Sequence, residues 1–289
     1  MMQHTIERHE HRGGDFLRGK TIDVADSRAR CSASDVLRWI GLGSEVDEHT
    51  DAMWFPMRRI HGGALLLCEG APFERLYVVG VGTFKAYHTD DDGFDLVQGF
   101  AMRGDVIGLD AIDRGICGAS VVALEDSMVA ILSYRDLLAE SRTVPALEKL
   151  LVHAASRELR QRDRTLQLMA AVGAEVRVAR FLLEMTNRQS SLGYSSRRIR
   201  LRMSRRDIAS HLGVAHETVS RSLSALADWG YIKVQQRELE ICDRDGLEAY
   251  QRATRGGSNR VAAPAHAGHG LLAPHADRHT SAQAMPIAA

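Results

Sequence analysis

Residues 203–231, MSRRDIASHLGVAHETVSRSLSALADWGY, gather the side chains best suited to reading a polyanion. Arg221 carries a planar fork of donors that matches O6 and N7 of guanine. Glu217 can accept from the amino group of cytosine or adenine, and Ser220 is short enough to approach a base edge or a thymine methyl. His216 shares their helix face. Arg202, Arg205 and Arg206 lie just upstream, where guanidinium groups suit phosphate oxygens and fix register without reading sequence. An amphipathic helix pair with solvated charges is the plainer alternative. The coincidence of turn glycine, apolar spacing and basic clustering favours base reading.

Those residues need two helices held at a fixed angle. Ser204 is placed to cap the first, with Asp207 in its opening turn, and Ile208, Ala209 and Leu212 face inward. Gly213 permits a tight turn. A second helix begins near Ala215, with Val219, Leu223 and Leu226 as its buried stripe. Ala215 stands where Ser or Thr would cap that helix, a loss of about 1 kcal/mol. Downstream, Tyr231-Ile232-Lys233-Val234 and Leu239-Glu240-Ile241 alternate around the polar Gln235-Gln236-Arg237-Glu238. This predicts a two-stranded wing whose Lys233 and Arg237 reach phosphates. The whole reads as a winged helix-turn-helix that offers its second helix to the major groove of double-stranded DNA.

The rest of the 289-residue chain has to carry that unit. A length of this order suggests roughly two domains with connecting segments. Hydrophobic residues make up 45% and charged residues 26%, which excludes a disordered or membrane-embedded composition. The balance of 37 basic against 37 acidic residues hides a split. Residues 43–140 hold 7 basic and 17 acidic residues, a balance of −10, and residues 197–237 hold 9 and 3, a balance of +6. Only one end is therefore suited to a polyanion. No apolar run of about 18 residues predicts a membrane span. The polar N-terminus lacks the apolar core of a secretory signal, and the expected location is the cytoplasm. Four cysteines without a CxxC pair argue against a disulfide scaffold or a zinc module. No Walker loop, HExxH or nucleophile elbow occurs, so the chain is not expected to be an enzyme.

Along the chain, residues 1–30 are His- and Arg-rich and read as a mobile arm. Residues 251–289 are rich in Ala, Gly, His and Pro and read as a disordered tail. Histidines cluster in both, without fixed ligand spacing, and no metal site is expected. Between about residues 54 and 131 short apolar runs alternate with Glu69-Gly70, Gly80, Asp92-Gly93 and Gly104-Asp105. They predict an antiparallel sandwich or barrel within a domain spanning 31–143. Residues 144–172 then change to helical period from Pro145 onward, a single helix of about 25 residues. Leu147, Leu150, Leu151, Ala154, Leu159 and Leu166 mark its apolar face, which predicts a dimer seam. The DNA-binding domain is expected over 173–250.

These motifs resemble the CRP/FNR family of bacterial transcription regulators, over about residues 54–250. Glu217-x-x-Ser220-Arg221 is similar to the recognition signature of the FNR branch, and Gly104-Asp105-Val106-Ile107-Gly108 and Gly82-Thr83-Phe84-Lys85 are similar to its sensory domain. The resemblance implies an α+β chain: an N-terminal β-roll (jelly roll) of the cyclic-nucleotide-binding type, a long dimerisation helix and a C-terminal winged helix. It implies a homodimeric activator on a palindrome resembling TTGAT-N4-ATCAA, with Glu217, Ser220 and Arg221 reading each half-site. It also assigns Thr89, Asp90, Asp91, Asp92, Gly93 and Phe94 to a loop that contacts RNA polymerase, Phe94 departing from the usual polar character.

The sensor half departs from the pattern. The Gly-Glu and Arg-Ser/Thr pairs of the cyclic-nucleotide cassette fall near Gly108-Leu109 and Ala119-Ser120, without the phosphate-neutralising arginine, which argues against cyclic AMP. The FNR branch ligates an iron–sulfur cluster with four thiolates. Here only Cys31 lies toward the N-terminus, and Ala130 takes the β-roll position. A four-Cys cluster is therefore not expected, and no cofactor is assigned. Cys68, in an apolar strand, is expected in the core, and Cys117, in a loop, is the candidate exposed thiol. His61, His88 and Cys68 are nominal axial ligands for haem. A regulator of the same family that needs a ligand, haem or thiol signal to bind DNA remains the alternative.

Overall fold

A computed structural model describes residues 29–170 and 173–253. The expected N-terminal arm and C-terminal tail lie outside the described residues, except at their inner edges. There Arg30 opens strand β1 (Arg30–Ser32), and the described residues end in helix α8 (Arg244–Ala253), a segment to which the sequence pattern assigns no element.

Helix α1 (Ala33–Ile40) was also unforeseen, although its start signal is present in the sequence. Ser32 Oγ accepts from the Asp35 N–H at 3.1 Å, and the Asp35 carboxylate accepts from the Ser32 N–H at 3.1 Å, a reciprocal cap. Val36, Leu37 and Ile40 bury the helix against the β-roll core. The short helix α2 (Glu48–Ala52) is capped likewise by Asp47.

The β-roll follows. Strands β2 (Trp54–Ile60), β4 (Arg75–Val81), β7 (Val106–Ile107) and β9 (Ser127–Ser133) join β1 in one sheet ordered β1-β2-β9-β4-β7. Strands β3 (Leu65–Leu67), β5 (Thr83–Thr89), β6 (Asp95–Met102) and β8 (Ser120–Ala123) form a second, ordered β3-β8-β5-β6. All pairings are antiparallel, and Val79, Phe84, Ile107, Val121 and Val129 fill the space between the sheets. The step from β4 to β5 demands glycine. Gly82 has φ +100°, and a Cβ there would lie 2.0 Å from Ser127 Oγ.

Helix α3 (Tyr134–Glu140) leads into α4 (Pro145–Met169), which is 25 residues long and opens with proline in its first turn. The structure corrects the expected seam. Leu147, Leu150 and Ala154 are buried in the chain's own core with Leu37, Ile40 and Leu132, and Leu151 packs against that cluster. Leu147, Leu150 and Ala154 have no face left for a second copy, and Leu151 is half-buried. Leu159 and Leu166 are exposed, and with Val152 they form a stripe at seven-residue spacing, 61–66% exposed. At roughly 100° per residue the two stripes lie on opposite sides of the helix, so one apolar face read from sequence is really two.

The C-terminal domain comprises α5 (Ala174–Ser191), β10 (Arg198–Arg200), α6 (Arg205–Leu212), α7 (His216–Asp228), β11 (Ile232–Gln235), β12 (Glu238–Ile241) and α8. Phe181 and Leu182 of α5 pack against Ile208, Leu212, Val219 and Leu226. The wing is a three-stranded sheet, β10-β12-β11, because Ile199 of the unforeseen β10 pairs opposite Leu239.

Candidate nucleic-acid interface

Ser204 and Asp207 cap α6 reciprocally, with Ser204 Oγ accepting from the Asp207 N–H at 3.1 Å and Asp207 Oδ2 accepting from the Ser204 N–H at 2.8 Å. The turn falls at Gly213, φ +61°, a left-handed conformation that suits glycine. Arg177 of α5 donates to the carbonyls of Leu212 and Gly213 at 3.0 and 3.3 Å and ties down the end of α6. Ala215 begins α7 without a side-chain cap, as its residue type requires. Val219, Leu223 and Leu226 are buried, so the opposite face of α7 is fixed by packing.

That opposite face carries His216, Glu217, Ser220 and Arg221, all exposed. Their only mutual ion pair is His216 Nδ1 to Glu217 Oε2 at 3.2 Å. Lys233 and Arg237 stand exposed on the wing, and Arg206 is exposed on α6. The other two expected phosphate ligands are engaged within the chain. Arg205 donates to the carbonyl of Gln236 at 3.1 Å and braces the wing turn, where Gln236 itself has φ +54°. Arg202 pairs with Glu125 of the β-roll at 3.0 Å.

The domain is also docked onto the β-roll, which the sequence reading missed. Strand β6 is the edge of its sheet, and side chains of the DNA-binding domain complete its free hydrogen bonds. Ser210 Oγ accepts from the Val97 N–H at 2.9 Å and donates to the Asp95 carbonyl at 2.7 Å. Arg188 donates to the Phe100 carbonyl at 3.0 Å. Lys85 Nζ sits 3.0 Å from Asp207 and 3.3 Å from Asp95, above the Tyr87 ring. Burial opposes the charge on Lys85, but its bonds and charge interactions with Asp207 and Asp95 outweigh this and hold its pKa above the lysine norm. Burial likewise works against the Asp207 carboxylate, and the Ser204 and Lys85 hydrogen bonds outweigh it, so its pKa is lowered. Buried Asp105 binds Arg188 of α5 and, at 3.2 Å, Arg157 of α4. One carboxylate thus joins β-roll, long helix and DNA-binding domain. No sequence signal marks these partners, because the pairs lie up to 122 residues apart.

Two family matches divide the chain as the fold does. Residues 57–143 match the cyclic nucleotide-binding domain and residues 176–250 the Crp-like helix-turn-helix domain. The transcriptional regulatory protein btr of Bordetella pertussis is 32% identical over 232 residues, covering 79% of this chain and 96% of that protein. The chain belongs to the CRP/FNR family of transcription regulators. The fumarate and nitrate reduction regulatory protein of Salmonella typhimurium is 30% identical over 225 residues, covering 78% of this CRP/FNR chain and 90% of its relative. The structure of FixK2 from Bradyrhizobium japonicum superposes with a TM-score of 0.61 at 27% identity, covering 68% of this chain and 96% of that one.

The thiols of this CRP/FNR member reverse two expectations. Cys68 is exposed, not core, because it lies just past the end of β3. Cys117 is buried, not exposed, because its segment pairs with the neighbouring loop: its N–H donates to Ala71 O at 2.9 Å and its carbonyl accepts from Gly70 N at 2.8 Å. Burial, reinforced by the Asp110 charge, pushes the Cys117 thiol up, and burial, reinforced by the nearby Asp35 charge, pushes Cys31 up to about 11. Both shifts disfavour the thiolate, the nucleophilic form. His61 lies 3.6 Å from Asp126, and His88 contacts Glu69; both rings are at least partly exposed.

In the β5–β6 hairpin, Asp90 Oδ1 accepts from the N–H groups of Asp92 and Phe94 at 3.1 and 2.8 Å, so Asp90 builds the turn. Gly93 takes φ +78°. Thr89, Asp91, Asp92 and Phe94 are exposed, Phe94 by 56%.

Proposed function

We propose that this transcription regulator binds a palindrome resembling TTGAT-N4-ATCAA as a homodimer and activates transcription through RNA polymerase, without cyclic AMP or a four-Cys iron–sulfur cluster. The observation that carries the reading is the α7 face: Glu217, Ser220 and Arg221 are exposed on a helix whose opposite side is fully packed. Arg221 donates to guanine, Glu217 accepts from a base amino group, and Ser220 contacts a neighbouring base. Arg206, Lys233 and Arg237 hold phosphates. Arg202 joins them when it leaves Glu125, whose carboxylate competes with a phosphate for the same guanidinium.

A second copy fits the exposed stripe Val152, Leu159 and Leu166, whose seven-residue repeat is that of a two-stranded coiled coil. Two-fold symmetry then sets the half-sites about one helical turn, roughly 34 Å, apart. The acidic turn with its exposed Phe94 is the surface assigned to polymerase.

The residues present do not suit the sensory groups of better-equipped relatives. Cys31 and Cys117 are buried and Cys242 lies in the other domain, which supports a reading without a four-thiolate cluster. Where a cyclic phosphate would need donors, Asp110 Oδ2 already accepts from the Gly118 N–H at 3.0 Å, and a carboxylate there repels an anion.

Fluorescence anisotropy of air-purified protein on the palindrome and on a scrambled duplex, at one fixed salt concentration, tests the reading. Binding to the palindrome at least about 10³-fold tighter than to the scramble is expected. Equal weak binding to both would overturn effector independence or the site.

A further inference from the structure

The exposed stripe of α4 and the reading helix α7 are the two ends of one connected set of contacts. Val152, Leu159 and Leu166 occupy one side of α4. Arg157 and Gln161, one turn apart, lie on the side away from Leu159, at roughly 100° per residue. Arg157 sits 3.2 Å from buried Asp105, which also binds Arg188 of α5. Gln161 donates to the Phe100 carbonyl at 3.5 Å, and Arg188 donates to the same oxygen at 3.0 Å. Helix α5 in turn packs Phe181 and Leu182 into the core that holds Val219 and Leu226 of α7.

The edge of β6 closes the path from a second direction. Ser210 of α6 bonds the Val97 N–H and the Asp95 carbonyl at 2.9 and 2.7 Å. Lys85 bridges Asp207 of α6 and Asp95 at 3.0 and 3.3 Å. Phe100 meets the rings of Phe181 and His211, with centroids 6.1 and 5.3 Å apart. Apolar burial alone is non-directional and leaves packed surfaces free to slide. Hydrogen bonds are directional, so this joint fixes an angle as well as a distance.

A fixed angle matters on a two-fold DNA site. One added base pair between half-sites shifts one of them by about 3.4 Å along the helix axis and turns it by about 34° around that axis. A symmetric dimer shares the turn, about 17° for each protomer, and both joints have to bend to follow it.

We propose that this joint selects the spacing of the DNA site: Ser210, the Lys85–Asp207 pair and the Asp105–Arg188 pair are positioning residues that impose the four-base spacer. They act through the placement of α7 and read no base themselves. The inference rests on the homodimer and palindrome of the proposed function.

Anisotropy of the full-length protein on TTGAT-Nx-ATCAA duplexes with three, four or five spacer bases, beside a scrambled duplex at one salt concentration, tests this. Wild type is expected to bind the four-base spacer at least about 100-fold more tightly than either neighbour. In Ser210→Ala/Lys85→Met that ratio falls at least about tenfold, because the loosened domain binds the four-base site less well and follows the other two more easily. Thermal melts establish that the variant folds. Ser210→Ala alone gives a readout without DNA: hydrogen exchange at the Val97 amide speeds up, and unchanged exchange overturns the joint itself. A wild type indifferent to spacer length overturns the proposal, as does a double variant that keeps the wild-type ratio or weakens on all three duplexes alike. A wild type that prefers no palindrome to the scramble refutes the proposed site, and the spacer inference with it. Preference for the palindrome without preference for its spacer refutes the spacer inference alone.

Discussion

Helices α6 and α7 are neighbours of similar composition that use their polar side chains in opposite ways. On α6, Asp207 is bound to Lys85, Ser210 completes the edge of β6, and His211 is buried between Phe100 and Phe181. On α7, Glu217, Ser220 and Arg221 face solvent. A polar side chain satisfied inside the fold positions its helix, whereas one left outside on a rigidly packed helix is available to a ligand. Under the proposed function the pair is a mount and a reader. The mount is the part that composition and motif do not reveal.

The largest expected effect breaks the reader. Arg221→Ala removes a bidentate contact worth about 1–3 kcal/mol in each half-site, so specific affinity for the palindrome falls by roughly 2–6 kcal/mol while the melting temperature stays near wild type. Anisotropy and differential scanning calorimetry check the two halves of that statement. Next comes the contrast within α4. Leu150→Ala empties a buried position and costs about 2–5 kcal/mol of stability, read by urea denaturation. Leu166→Glu leaves the fold's stability nearly unchanged but converts a dimer to monomers, read by analytical ultracentrifugation.

The mount gives smaller effects. Lys85→Met strands Asp207 and Asp95 without their cation and costs about 1–3 kcal/mol, and the cost shrinks when Asp207→Asn is already present, a coupling that a double-mutant cycle measures. The smallest effect is a pH dependence. Burial, aided by the Arg188 charge and opposed by the Val97 carbonyl, holds His211 below its ordinary value of 6.5. Above that value the stabilisation from keeping it neutral is complete. As pH falls through it, the unfolded chain gains a proton that the folded chain refuses, and stability declines. The fall in melting temperature between pH 7 and 5 is therefore shallower in His211→Gln.

Legibility in the sequence followed the range of the interactions. The cap at Ser204, the turn at Gly213 and the α7 stripe are set by residues within a few positions of one another, and their spacing predicts them correctly. Strands β3, β4, β5, β6, β8 and β9 are legible for the same reason, each an apolar run near a glycine or acidic turn, whereas β1, β2 and β7 carry no such signal. Helix α1 announces itself through Ser32 and Asp35 and was overlooked. Strand β10 is too short to show a period, and its existence depends on pairing with β12 some forty residues away. Cys68 and Cys117 were misplaced because burial at the roll's edge is decided by which loop covers which. Leu147, Leu150 and Ala154 were assigned outward because a helical period shows that a face is apolar but not what covers it.

The most direct test of the account replaces the single guanine of each half-site with 7-deazaguanine, which lacks the N7 acceptor, and titrates wild type and Arg221→Ala onto both duplexes. Wild type is predicted to lose about tenfold or more in affinity on the modified duplex, and Arg221→Ala to bind the two duplexes equally. Equal binding of both duplexes by the wild type, or discrimination retained by Arg221→Ala, would contradict base reading by α7.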